Sequence, residues 1–287
     1  MTDQPEKIVA LVDGSIYSAS VCEHAAWVSR RTNAPVEVLH VLGRREAPEN
    51  KDLSGSIKLG ARSALLEELA ELDAQRAKLI SHRGRAILDD ARAILEKAGA
   101  GGITTRLRQG DVVDTIGEIE TDARVIMIGK RGEAADFAKG HLGSNLERII
   151  RASTKPVFVA SRNFKPVEKV LVAYDGGTSS MKAVDHIARS PLFQGLRVQV
   201  VTVGRETGEA RKGLADAAAL LHAAGLEVET AILSGQPETA LARLVDEQGF
   251  DMLVMGAYGH SRIRTLIIGS TTGEMIRSCK VPVVLMR

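Results

Sequence analysis

The residues best suited to chemistry lie in the second half of this 287-residue chain. An apolar run, DMLVM (251–255), ends at Gly256, and Gly259 follows after two residues. Nine residues later come Gly269 and Ser270, then Thr271 and Thr272, opening a helix-period segment to about Arg277. Glycine permits left-handed backbone and close approach of the main chain to a ligand. The N–H groups of a first helical turn have no intrahelical partners, and the helix dipole adds partial positive charge. Such a turn suits an anion such as phosphate. Ser270 can cap the helix and also donate to a phosphate oxygen. His260, Arg262 and Arg264 add positive charge along the loop. Each of these glycines, taken singly, is also an ordinary turn or cap choice.

The elements that must position this loop form two trains. In the first half, apolar runs at 7–13, 36–42, 103–108, 124–129 and 156–161 alternate with helix-period segments at 16–32, about 57–98, 112–121 and 144–152. The second half repeats the runs at 169–175, 197–204, 226–233, 251–256 and 282–286. Strands of this length alternating with helices predict βαβ units, right-handed crossovers and a parallel sheet covered on both faces. KIVALVDGS aligns with KVLVAYDGG, which pairs Asp13 with Asp175 and Gly14 with Gly176. Pro156 aligns with Pro282, and SRNFKPVE (161–168) reads as the linker. The expected domains are 1–161 and 166–287. Ligands of open α/β sheets bind beyond the carboxyl ends of the strands. If the first and fourth strands of the repeat are neighbours, Asp175 faces the Gly256 loop, where its carboxylate suits ribose hydroxyls or an adenine amino group.

The halves differ in one insertion, 44–98, whose segment ALLEELAELDAQRAKLI (64–80) spaces leucines at helical intervals. It reads either as a surface helix packed on its own domain or as a dimer or partner surface. Gly84 is the expected place for a break or kink.

Composition removes several classes. Up to residue 160 there are 23 basic and 23 acidic residues, and beyond it 15 and 13, so neither half is a basic nucleic-acid module. Aromatics at 3% argue against base-stacking platforms. The pairs Arg30–Arg31 and Arg44–Arg45 read as solvated ends of elements. Cys22 and Cys279 are far apart and read as buried thiols. His24, His82, His186 and His222 lack ligand spacing, and His40 reads as a core residue bonded to backbone. No metal site, G-x-S-x-G elbow, HExxH or GxxxxGK[ST] is present. No apolar run approaches a membrane span, and no h-region opens the chain. The expectation is a soluble, cytoplasmic protein without a membrane or nucleic-acid partner.

Taken together, these residues resemble the universal stress protein family, as two of its domains fused in tandem. The family's nucleotide binders carry G-x2-G-x9-G-[S/T], matched here by Gly256, Gly259, Gly269 and Ser270, and the likeness runs from about residue 6 to 287. The resemblance implies two doubly wound, Rossmann-like α/β domains, each with a five-stranded parallel sheet of order 3-2-1-4-5, related by a pseudo-two-fold. It implies that Ala173, Tyr174, Asp175, Val203 and Met255 hold adenosine, while Gly256, Gly259, Gly269, Ser270, Thr271 and Thr272 line ribose and phosphates. ATP, or AMP or ADP, is the expected ligand, with magnesium held by the phosphates. In the first half, Asp13, Val41, Gly129, Gly132, Gly143, Ser144 and Asn145 fall in matching places. There, however, ten residues separate Gly132 from Gly143. The extra residue would shift the loop or fill the pocket with Phe137, while Lys130, Arg131, Lys139 and His141 would still attract an anion. The implied function is a stress-response protein that binds adenine nucleotide and acts as a regulatory switch without dedicated catalysis, since no general base is evident near the phosphates. The alternatives are a slow ATPase, or an interaction or apolar-ligand module whose first domain does not bind nucleotide. Pairing of the two domains within the chain, a homodimer and a further protein partner are implied as well.

Overall fold

A computed structural model describes residues 6–43, 59–131, 143–257 and 270–287. The first half runs β1 (Lys7–Leu11), α1 (Ser18–Thr32), β2 (Val36–Leu42), α2 (Leu59–Lys97), β3 (Thr104–Gln109), α3 (Val112–Ile119), β4 (Ala123–Gly129), α4 (Ser144–Ala152) and β5 (Val157–Ala160). The second runs β6 (Lys169–Ala173), α5 (Thr178–Arg189), β7 (Arg197–Val203), α6 (Gly208–Ala223), β8 (Glu227–Leu233), α7 (Pro237–Gln248), β9 (Met252–Gly256), α8 (Ser270–Ser278) and β10 (Val283–Met286).

All these strands lie in one sheet, ordered β3-β2-β1-β4-β5-β10-β9-β6-β7-β8. Each half is parallel with the expected order 3-2-1-4-5. The halves meet where β5 and β10 pair antiparallel, with Val157 opposite Leu285, Phe158 opposite Val284 and Val159 opposite Val283. Phe158 and Val284 are equivalent positions of the two copies, so a local two-fold passes between them. Domain pairing within the chain is therefore a strand-to-strand junction.

Alternate strand residues feed the two faces, as a doubly covered sheet requires. Ile8, Ala10, Phe158, Val170 and Val284 join one core, beneath α1, α2, α5 and α6. Val9, Leu11, Val159, Leu171 and Val283 join the other, beneath α3, α4, α7 and α8. Each core runs through both halves. Among the described residues, no helix is long and apolar enough to cross a membrane.

No break falls at Gly84: α2 is continuous over 39 residues, about 58 Å at 1.5 Å per residue. Gly84 is small for another reason. A Cβ there would stand 2.8 Å from Leu107 Cδ1 and 3.1 Å from His40 Cδ2, so glycine lets the helix cross close over β2 and β3. Leu88, Ala91 and Leu95 bury the turns that follow. From residue 66 to residue 83, no side chain of α2 is buried.

The seam is closed on the α1 face by polar contacts. The Ser20 hydroxyl donates to the Ser161 carbonyl at 2.8 Å. His24 Nδ1 donates to the Ser20 carbonyl at 2.7 Å, and the ring packs against Phe158 and Phe164. Arg31, expected at a solvated helix end, instead stacks on Trp27 and donates through Nε to the Leu192 carbonyl of the other half at 2.6 Å. Both thiols are buried as expected, and burial followed by Glu23 pushes Cys22 up to about 12.

His24 is fully buried, and its Nε2 has no partner among the described residues. Burial lowers its pKa to about 4, so the folded protein holds it neutral. The unfolded chain takes up this proton near 6.5. Stability from His24 is thus complete above about pH 6.5 and falls as pH drops toward 4, by up to about 1.4 kcal/mol per unit. We expect urea midpoints measured at pH 7 and pH 5 to differ less in His24→Gln than in the wild type. An equal difference in both would remove His24 from the acid response.

Candidate functional site

Both copies build the same turn beyond the first strand of the repeat. The ladder continues one residue past each strand: Val12 N donates to the Leu39 carbonyl at 3.0 Å, and Tyr174 N to the Val201 carbonyl at 2.8 Å. The next residue is Asp13 or Asp175, followed by Gly14 or Gly176 at φ +78° or +73°, which favours glycine. Asp175 Oδ1 accepts from Gly177 N at 2.8 Å and from the Ser180 hydroxyl at 2.7 Å. Asp13 Oδ1 accepts from Ser15 N at 3.0 Å and from the Ser18 hydroxyl at 3.3 Å. Each carboxylate is therefore fixed in direction by the start of the next helix. Ser18 and Ser180 were missed from the sequence, although each stands five residues after its aspartate.

Behind the turn, the second strand of each copy holds the carbonyl before the aspartate. Thr202 Oγ1 donates to the Tyr174 carbonyl at 2.8 Å. His40 Nδ1 donates to the Val12 carbonyl at 2.8 Å, the backbone bond expected of a core histidine. Burial raises the Tyr174 pKa, reinforced by Asp216 and Asp175, so its phenol stays neutral.

The condition set by the sequence is met: β6 and β9 are neighbours, with Ala173 beside Met255 in the ladder. Ala173, Tyr174, Asp175, Met255 and Gly256 thus gather at adjacent strand ends, with Val203 at the end of β7 on the other side of β6. Helix α8 begins at Ser270 as expected. Thr271 is half-buried. Thr272 is buried, and its hydroxyl donates to the Ala257 carbonyl at 3.2 Å, tying α8 to the end of β9. In the first half, Asp13, Val41 and Gly129 take the matching places around β1, and α4 begins at Ser144 after Gly143, with Asn145 exposed. Gly132, Gly259 and Gly269 lie outside the described residues, as do Phe137, Lys139, His141, His260, Arg262 and Arg264.

The first glycine of each loop answers first to packing. A Cβ on Gly256 would stand 2.8 Å from Ser179 Cβ, and one on Gly129 would stand 2.5 Å from Tyr17 Cβ. Each lets the start of the first helix of its repeat, α5 or α1, lie against the strand end. The copies differ one step away. A Cβ on Gly176 would meet nothing within 4 Å, whereas one on Gly14 would meet Ile87 Cδ1 of α2 at 2.9 Å. Among the described residues, the insertion helix therefore roofs the first turn, and none stands within 4 Å of a Cβ on Gly176.

Lys130, expected to attract an anion, is buried and crosses the seam, donating to the Cys279 carbonyl at the end of α8. Burial lowers its pKa. In the opposite direction, Arg287 Nη1 donates to the carbonyls of Arg151 at 2.7 Å and Ser153 at 3.2 Å, at the end of α4. Each loop helix thus has its C-terminal carbonyls satisfied by a cation from the other half, as its dipole favours. Beside Lys130, a cleft of about 540 Å³ opens at the seam, bordered by Tyr17, Arg162, Lys165, Asp246 and Lys280.

Residues 5–161 and 198–287 match the model of the Universal stress protein family. Over 286 residues the chain is 38% identical to the universal stress protein Slr1230 of Synechocystis, covering 98% of this chain and 100% of that one. It is 30% identical over 137 residues to the universal stress protein Rv1636 of Mycobacterium tuberculosis, covering 41% of this chain and 94% of that one. A solved universal stress protein from Archaeoglobus fulgidus shares the fold along 99% of both chains, with a TM-score of 0.70 and 24% identity. The chain belongs to the universal stress protein family. The stretch between the two matched segments holds β6 and α5, which repeat β1 and α1.

The Gly256 packing gives a direct test. Gly256→Ala should destabilise the protein by about 1–3 kcal/mol through overpacking, with no ligand present. Ser179→Gly in the same chain should recover part of that loss. A melting temperature unchanged by Gly256→Ala would refute the packing role.

Proposed function

We propose that the second half is an adenine-nucleotide site and that the chain acts as a nucleotide-biased regulatory switch within the stress response. The observation that carries this reading is the Asp175–Gly176 turn, its carboxylate fixed by Gly177 and Ser180, beside Gly256 and the N-terminus of α8. The residues fit the group. Asp175 offers a carboxylate held in one direction by Gly177 and Ser180, suited to ribose hydroxyls or an adenine amino group. The first turn of α8, with Ser270 and Thr271, offers backbone donors to phosphate oxygens. Ala173, Tyr174, Val203 and Met255 would frame the nucleoside, and Gly259 and Gly269 would complete the loop. ATP, ADP and AMP share these features, and any magnesium would be carried by the phosphates. The boundaries 1–161 and 166–287 remain our proposed domain limits.

A switch needs different affinities in two states. Helix α8 offers the connection, because its first turn belongs to the site and its last carbonyls meet Lys130 of the first half. A change at one end is felt across the seam at the other.

A second reading applies to the first half, where Ile87 covers the turn and Lys130 is spent on the seam. We assign that half to interaction rather than nucleotide binding. Calorimetric titration of the full chain with ATP and with AMP should give one site per chain. Asp175→Asn, which keeps the Oδ1 acceptor for the helix cap, should weaken binding about tenfold. Gly269→Val should abolish it, and Asp13→Asn should leave it unchanged. No binding of either nucleotide would overturn the proposal, and two equal sites would overturn the assignment of the first half.

A further inference from the structure

The part of α2 that buries no side chain carries its own pattern. Between residues 66 and 83 the helix buries no side chain, yet it presents large apolar groups: Leu66 is 45% exposed, Leu72 55% and Leu79 70%. Leu72 and Leu79 stand seven residues apart, two turns of helix, on one face. Leu69 is half-buried on the preceding turn. In the second half, α6 has 16 residues and no such extension. A helix this long gains stability by burying an amphipathic face.

The charges select the occupant. Glu67, Glu68, Glu71 and Asp73 fill the first turns of this segment, and Arg76, Lys78 and Arg85 fill the later ones. A parallel copy would set acid against acid and base against base. An antiparallel copy sets the acidic turns against the basic turns twice, once on each side of a two-fold axis. Placing that axis level with Ala74 brings Leu69 of one copy opposite Leu79 of the other, with Leu72 beside the axis. It also sets Asp73 of each copy next to Arg76 of its partner. The two Gln75 side chains meet close to the axis, where an amide can both donate to and accept from its own kind.

We propose that two copies of this chain pair antiparallel through residues 66–85 of α2, with leucines at the centre and complementary charge at both ends. The contact is isologous, as a two-fold dimer requires. It lies on the insertion, apart from the β5–β10 seam that joins the two halves within one chain.

Sedimentation velocity on the full chain at micromolar concentration tests this. The wild type should sediment as a dimer, and Leu72→Glu with Leu79→Glu as a monomer of unchanged melting temperature. Asp73→Lys should weaken the dimer about tenfold or more, and adding Arg76→Asp should restore it. A monomeric wild type would overturn the proposal, as would a dimer indifferent to the leucine changes. A monomer whose melting temperature falls in Leu79→Glu would assign the stripe to a contact within the chain. A dimer sensitive to the leucines but not to the charge swap would exclude antiparallel pairing.

Discussion

The antiparallel contact of β5 with β10 is the constraint on which the molecule turns. In a sheet of order 3-2-1-4-5, the last strand is an edge with unpaired N–H and C=O groups. Each half covers the other's edge with an equivalent strand. That pairing makes one sheet of two and carries both apolar layers through the whole chain. It also brings the ends of α4 and α8 within reach of Arg287 and Lys130. Helices α4 and α8 are therefore anchored at their C-terminal ends by residues of the opposite half.

Within that frame, the functional turn is an economical object. One carboxylate oxygen accepts two hydrogen bonds from the start of the next helix, and the residue after it takes a left-handed φ. The carbonyl before it is held by a hydroxyl or an imidazole on the neighbouring strand. The local chemistry is the same in both halves. Among the described residues, what separates them is Ile87 of α2, which stands over Gly14 and has no counterpart at Gly176.

Much of this was legible in the sequence because it depends on local pattern. Strand runs, the doubled KIVALVDGS and KVLVAYDGG segments, and the helix starts at Ser144 and Ser270 follow from periodicity. Side-chain commitments across long separations were not legible. Lys130 reads as loop charge until the fold sets it against Cys279, 149 positions away. The bond from the Thr272 hydroxyl to Ala257 is another such commitment. Gly84 reads as a helix breaker, because the chain near it does not show that Leu107 and His40 lie beneath it. Arg31 reads as a solvated end, because its acceptors belong to the other half.

Fusing the two copies has a genetic consequence at the seam. In a dimer of identical chains, one codon change alters both sides of the axis at once. Here Lys130 faces α8, while its counterpart Ala257 leaves the reciprocal task to Arg287. Tyr17 likewise stands where the other copy has Ser179. Each substitution is inherited on one side only, so selection can sharpen one pocket and retire the other without surrendering the junction that holds both.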